Sequence, residues 1–473
     1  MDKQINELVD KLKSLFNQKE IEQLARETGF TKRKSKMAPE IFMALCIFHG
    51  EDLCTDSLVQ IHSQLKIEEG LIISPQAVDK RFEQDESVAF IMSIFNKMLT
   101  LQNEVLSKEI SWLRTHFSSI NVTDSTIIQL PKEYADKYTG CGGDSSKSSI
   151  KIQLELELLS GAFKKCEVFE GRSSDINFLR TLKEDMQPNS LNLKDLGYFK
   201  IEDLKDIEER NAYYISKLKS NMTLYRLNPT PEYNKNGEVK ESTKYTKIDI
   251  IEILKPLAVG ETLELNDIYI SKIKKPCNRF IVTKLNKHCK DIKFKKHKKN
   301  VRKQRIVDSS FTRSRLEYNC YISNVPREIL GTNQIHEMYS LRWQIELMFK
   351  VWKSVFGIDK VKKVKVNRFE CFLYGRLIAL LLTGSIVSTM RDNTADMTSE
   401  LSEKKAFSLI KKHFHKLRIS LFKRKKHLVT LLADFKSSIM VYGVKSHKKG
   451  KKTPYDILQN TISYESESPP FAS

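Results

Sequence analysis

The stretch Tyr339-Ser-Leu-Arg-Trp-Gln-Ile-Glu-Leu-Met-Phe-Lys-Val-Trp-Lys353 decides how this chain is read. It contains neither Pro nor Gly, and Gly357 follows as a stop signal, so its spacing predicts one continuous helix. At about 100° per residue two faces separate. Leu341, Ile345, Met348, Phe349, Trp352 and Val355 form an apolar side that should pack on a core. Tyr339, Arg342, Glu346, Lys350 and Lys353 fall in a narrow polar stripe opposite. A stripe of i,i+4 ion pairs on a wet helix would be worth only a few tenths of a kcal/mol per pair. Here one carboxylate is set among cations and a phenol, all facing the same way.

The spacing Tyr, two residues, Arg, three residues, Glu, six residues, Lys, together with the Arg-Trp-x-Ile-Glu context, resembles the signature of the insertion-sequence 4-type transposases. These are DDE enzymes, the family that also contains the transposon 5 transposase. The resemblance implies two further aspartates at strand ends, and candidates for both are present. Ile120, Val122 and Asp124 alternate with polar residues as a strand that ends in a carboxylate, and Asp124-Ser-Thr126 is similar to the first motif of the family. Leu191, Leu193 and Asp195 repeat that phase. Asp195-Leu-Gly-Tyr-Phe199 resembles the second motif, with Leu196 where the family has Arg. Asp175 is the alternative second carboxylate, and a plain turn role is open to Asp195 before Gly197.

Composition fits this reading. The 473 residues are enough for two or three domains. A net charge of +21 points to a polyanionic partner, of which nucleic acid is the usual one. No signal peptide is read at the N-terminus, and the apolar Phe372–Met390 stretch, interrupted by Gly375, Arg376, Thr383, Gly384 and Ser385, is expected as a buried helix rather than a membrane span. Eight cysteines without a CxxC pair suggest neither zinc nor a disulfide framework and fit a reduced, cytoplasmic protein.

Residues 1–110 read as a helical N-terminal domain. Ser74 is a credible N-cap and Pro75 a first helical residue for a short helix presenting Gln76, Lys80 and Arg81. The family resemblance favours terminal-repeat DNA binding there over an ordinary capped bundle helix. Residues 111–390 read as the catalytic domain. Ile150–Leu159 and Ala162–Phe169 form a hairpin about Ser160-Gly161, Ser174 and Asp175 open a helix, and Ala212–Leu218 is a fifth strand. This order is that of an α/β, RNase H-like core. A β-rich insertion at about 221–323 interrupts it, with strand-like runs that include Ile248–Leu254. Within it Lys287–Arg305 is crowded with cations against the single acid Asp291, a charge run expected along DNA phosphates. Residues 391–473 read as a basic helical C-terminal region with a disordered tail.

The resemblance implies a cut-and-paste DNA transposase. Asp124, Asp195 and Glu346 would hold two Mg²⁺ ions, with Mn²⁺ able to substitute, while Tyr339, Arg342, Trp343 and Lys353 contact DNA. Trp343 falls about 40° from Tyr339 on the projection, which suits a stacking platform for an unpaired base. Packing beneath the insertion is its alternative. Partners implied are double-stranded DNA, as terminal inverted repeats and target, and a second copy of the chain in a synaptic dimer, with no membrane. The rival readings are an RNase H-like nuclease without strand transfer and a decayed copy acting as a DNA-binding repressor.

Overall fold

The computed structural model describes residues 3–33, 35–49, 53–106, 116–142, 147–198, 200–218, 222–271, 275–304, 310–392, 401–445, 452–454 and 456–458. Six helices come first: α1 (Lys3–Leu15), α2 (Gln18–Glu27), α3 (Pro39–Phe48), α4 (Leu58–Glu69), α5 (Pro75–Glu83) and α6 (Asp85–Leu106). There follow β1 (Ser119–Leu130), β2 (Ser148–Glu157), β3 (Phe163–Glu170), α7 (Asp175–Leu182), β4 (Ser190–Lys194), α8 (Ile201–Glu209) and β5 (Tyr213–Lys217). The next segment holds β6 (Leu224–Leu227), β7 (Tyr245–Lys247), α9 (Ile250–Leu254), β8 (Thr262–Leu265), β9 (Ile268–Ile270), β10 (Lys275–Cys277), β11 (Arg279–Lys284), α10 (Lys287–Gln304), α11 (Ser310–Arg315) and β12 (Tyr318–Ser323). Helices close the chain: α12 (Thr332–Ser340), α13 (Trp343–Ser354), α14 (Val366–Asp392), α15 (Glu403–Lys412), α16 (Phe414–Phe422) and α17 (Lys425–Tyr442). It is a mixed α/β protein.

Two compact units are formed from interleaved segments. The first takes residues 1–111, 124–178 and 344–451. Its strands run in the order β3-β2-β1, and its centre is α14, which packs against α3 and α6. Helix α14 is apolar on every side because it is buried on every side. It is long and apolar enough to cross a bilayer, yet 94% of its most apolar stretch is buried in the protein. A Cβ at Gly375 would lie 2.2 Å from the Cys46 carbonyl oxygen, so the approach of α14 to α3 requires glycine there. Two of its buried arginines bond backbone carbonyls: Arg376 donates to those of Cys46 and Ile47, and Arg368 to those of Leu53 and Asp56. Ser74 caps α5 by accepting from the Ala77 N–H at 3.1 Å, with Pro75 in the first turn.

The second unit takes residues 112–123, 179–343 and 452–473. Its larger sheet runs β1-β4-β5-β12-β11-β8. β4 pairs parallel with both β1 and β5, while β12, β11 and β8 add antiparallel. A smaller sheet has the order β10-β9-β6-β7. Leu204, Ile207, Tyr214, Phe280, Val282 and Ile322 lie in the core. The buried Arg279 guanidinium grips Glu264 with two bonds of 2.8 and 3.0 Å and donates to the carbonyls of Val325 and Leu330. Thr332 adds a bond to Glu264, so the start of α12 is fixed to β8 and β11.

Four expectations are corrected. Strand β1 does not end at Asp124 but runs six residues further, because Ile128 and Leu130 continue the buried alternation. Ile248–Leu254 is not a strand: Asp249 accepts from the N–H groups of Ile251 and Glu252, and this cap turns the β-branched run into α9. Lys287–Gln304, within the segment read as a β-rich insertion, is a helix, held on β12 by Lys293, which donates to the Tyr318 carbonyl at 2.8 Å. Arg305 lies outside the described residues, as does the C-terminal tail from residue 459. The helix expected over Tyr339–Lys353 is two helices. The N–H groups of Leu341 and Arg342 bond the carbonyls of Met338 and Tyr339, three residues back, and tighten the chain between α12 and α13.

Candidate active site

Asp195, expected as the second carboxylate, belongs to the second unit. Asp195 is the residue directly after β4, with its side chain 41% exposed. Tyr339, at the end of α12, is buried. Its hydroxyl stands 3.4 Å from Asp195 Oδ1 and donates to the Lys194 carbonyl at 3.3 Å. Burial and then the nearby Asp195 charge push the Tyr339 phenol well above its ordinary pKa, so it stays a neutral donor. Arg342 Nε lies 3.8 Å from Asp195 Oδ1. The turn at Leu341–Arg342 thus brings the phenol and guanidinium of the signature onto one aspartate. Tyr339 is not on a wet stripe as its spacing suggests. It packs on Tyr321 of β12 with ring centroids 5.2 Å apart, and the Tyr321 hydroxyl bonds His336 at 2.7 Å.

In the first unit Asp124 sits mid-strand in β1, half-buried, and its Oδ1 accepts from the Ser125 N–H at 2.8 Å. Glu346 is half-buried in the first turn of α13, where the positive helix end favours a carboxylate. Helix α13 buries Ile345, Met348, Phe349 and Trp352, the face read from its periodicity, and Trp352 packs on Phe163 and Phe349. Seven residues beyond Glu346, Lys353 donates to the Ile127 carbonyl of β1 at 3.2 Å, tying the helix that carries Glu346 to the strand that carries Asp124. Trp343 is 46% exposed and is not a core residue.

Asp175 is built into the first unit. It opens α7 and accepts from Lys151 Nζ at 3.0 Å and Gln153 Nε2 at 2.8 Å. Lys217, which the sequence reading passed over, lies with its ammonium 5.1 Å from the Tyr339 ring centroid. The only sequence sign of it is a lysine closing a strand.

Asp124 and Glu346 of the first unit and Asp195 of the second are each carboxylates, the oxygen donors a hard divalent ion takes, and none of them is buried away from solvent. Among the described residues no group of three His, Cys, Asp or Glu side chains is gathered closely enough to hold a metal ion as the protein stands.

The comparisons show the family to which the chain belongs. The model of the transposase DDE domain family matches residues 115–382, more than half of the chain, and the chain belongs to that family. It is 42% identical over 463 residues to the transposase for insertion sequence element IS1151 of Clostridium perfringens, covering 97% of each chain. It is 37% identical over 445 residues to the transposase for insertion sequence element IS231B of Bacillus thuringiensis subsp. berliner, covering 94% of this chain and 93% of that one. A distant likeness in shape is to the piggyBac transposase synaptic complex with hairpin DNA, at 12% identity and a TM-score of 0.47, covering 96% of this chain and 83% of that one. The protein is a DDE transposase, and membership of the family implies a divalent metal.

Proposed function

We propose that this transposase moves an insertion sequence by cutting it from DNA and joining its ends to a target, with Asp124, Asp195 and Glu346 as the catalytic carboxylates. One observation carries the assignment. The parallel register of β1 and β4 runs Val122 to Leu193 and Thr123 to Lys194, and the residue following each strand's last pair is an aspartate. Asp175, by contrast, is committed to Lys151 and Gln153. The strand orders β3-β2-β1 and β1-β4-β5 support an RNase H-like core, and the Tyr-Arg-Glu-Lys spacing supports the insertion-sequence 4-type branch.

The three carboxylates are assigned two Mg²⁺ ions, with Mn²⁺ as a substitute. Held by these carboxylates, such ions would supply Lewis-acid activation of an attacking water or 3′-hydroxyl and charge stabilisation of the leaving oxygen in phosphodiester cleavage. The remaining steps belong to the chain. Arg342 presents a planar fork and Tyr339 a neutral hydroxyl at Asp195, both suited to phosphate oxygens. Lys353 supplies a point charge on α13, and Trp343 an exposed ring for a base drawn from the stack. Residues 1–110 are assigned to binding terminal inverted repeats, 111–390 to catalysis with an insertion at about 221–323, and 391–473 to a basic helical region. The working form is a dimer that synapses two ends in the cytoplasm.

The test uses purified protein and a DNA fragment carrying the inverted repeat that flanks its gene. Asp124→Asn, Asp195→Asn and Glu346→Gln should each abolish cleavage and leave end binding nearly intact. Cleavage surviving in Asp195→Asn and lost in Asp175→Asn would move the second carboxylate. Cleavage without joining to a target would mark a nuclease, and binding without cleavage a repressor.

A further inference from the structure

Lys217 closes β5, and the register of the sheet puts it beside the second carboxylate. β4 and β5 are parallel, with Leu193 opposite Ile215 and Lys194 opposite Ser216. The next residue on each chain is Asp195 on one side and Lys217 on the other, on strands about 4.8 Å apart. On its far edge Lys217 is paired with Tyr321 of β12. The Lys217 ammonium stands 5.1 Å from the centre of the Tyr339 ring, and the hydroxyl of that ring is 3.4 Å from Asp195. Arg342 approaches the same carboxylate at 3.8 Å. Asp195 is therefore approached by a phenol and a guanidinium of the signature, and the ring of that phenol carries the ammonium of Lys217, the residue beside Asp195 in the register.

We propose that Lys217 is a phosphate-binding residue of the active site, its ammonium holding a non-bridging oxygen of the DNA strand at the phosphodiester that faces Asp195. This rests on the assignment of Asp195 as a catalytic carboxylate.

The charge around it supports an anion there. Lys293 of α10 is lowered to about 8, by burial first and by the Lys217 charge second, so two ammonium groups are held within mutual reach in the free protein. Like charges gathered in a partly desolvated place cost energy until a counter-charge arrives. Asp195 cannot be that counter-charge once a metal claims it. A phosphate can, and Lys217 is the cation that the register places next to Asp195 at the end of a strand. Helix α10, which carries Lys293, presents exposed lysines in the same unit as Lys217. The competing role is a prop: an ammonium over an aromatic ring contributes by holding Tyr339 in place and touches no DNA.

The experiment compares full-length wild-type protein with Lys217→Met, Lys217→Arg and Asp195→Asn, using end DNA and Mg²⁺. Lys217→Met keeps the aliphatic stem over Tyr339 and removes the charge. It should cleave tenfold or more slowly, while Lys217→Arg keeps most activity. Single methylphosphonates, which remove one phosphate charge each, are then placed around the cut. At one of these positions wild type should lose rate and Lys217→Met should lose nothing further. Lys217→Met cleaving at the wild-type rate, with Asp195→Asn inactive, overturns the inference and leaves the carboxylate assignment standing. Equal sensitivity of Lys217→Met and wild type at every methylphosphonate also overturns it, in favour of the prop. An active Asp195→Asn removes the assignment on which it rests.

Discussion

Replacing Lys295, Lys296, Lys298 and Lys299 of α10 by Gln together tests whether the basic helix lies along DNA. These four side chains are exposed, whereas Lys293 is engaged with the Tyr318 carbonyl and Lys290 with Glu317, so the four are the ones placed to reach phosphates. Gln keeps nearly the helix propensity of Lys, and circular dichroism of the variant should match wild type. Each phosphate contact contributes roughly 0.9 to the slope of log affinity against log salt, so losing four should flatten the slope by about 3.6. Between about 50 and 200 mM salt, some 0.6 logarithmic units, wild type should therefore weaken about 150-fold more than the variant. Fluorescence anisotropy of a labelled end fragment across that range measures both. Parallel lines for the two proteins would refute the reasoning and make α10 a solvated helix. A smaller flattening, near 0.9, would mean that one lysine reaches a phosphate and the helix crosses the duplex rather than following it.

Trp343→Ala should spare first-strand nicking and slow hairpin formation at the end, read on denaturing gels, with a fluorescent base analogue at the terminal position reporting lost unstacking. An equal fall in both steps, or a lower melting temperature, would return this half-exposed ring to a packing role. Lys293 gives a pH signature. Its folded pKa of about 8 lies below the unfolded value near 10.5, so between these values the unfolded chain binds more protons and stability rises with pH, by about 3 kcal/mol at most. Lys293→Met should be more stable than wild type at pH 7 in urea unfolding, with the gap closing toward pH 10. A gap that does not change with pH would show that the ammonium is not desolvated.

What the sequence made legible was whatever repeats along the chain. The apolar phase of Ile345, Met348, Phe349 and Trp352 reappears as a buried face, and the strand through Leu191 and Leu193 reappears as buried β4, because each depends on one element meeting one core. The break at Leu341 was hidden, since Leu341 keeps a helical φ of −61° and ψ of −21° and only its hydrogen bond is shortened to the residue three back. The burial of Tyr339 was hidden for another reason: it is decided by Tyr321, eighteen positions earlier. Helix α9 was a misreading of available signals, because Asp249 followed by Glu252 is a start signal that the β-branched residues outvoted. Lys217 needed the register of three strands and could not be found from any single one.

The bond from Lys353 to the Ile127 carbonyl has a mechanical side. It is a cross-brace set three residues along the strand from Asp124 and seven along the helix from Glu346. A slip of one residue along a strand is about 3.3 Å, more than the tolerance of any coordination sphere, so this bond adds to the packing of α13 in limiting how far one carboxylate can creep past the other. The same ammonium is the one assigned to DNA. A phosphate that draws it off the carbonyl removes this brace between α13 and β1.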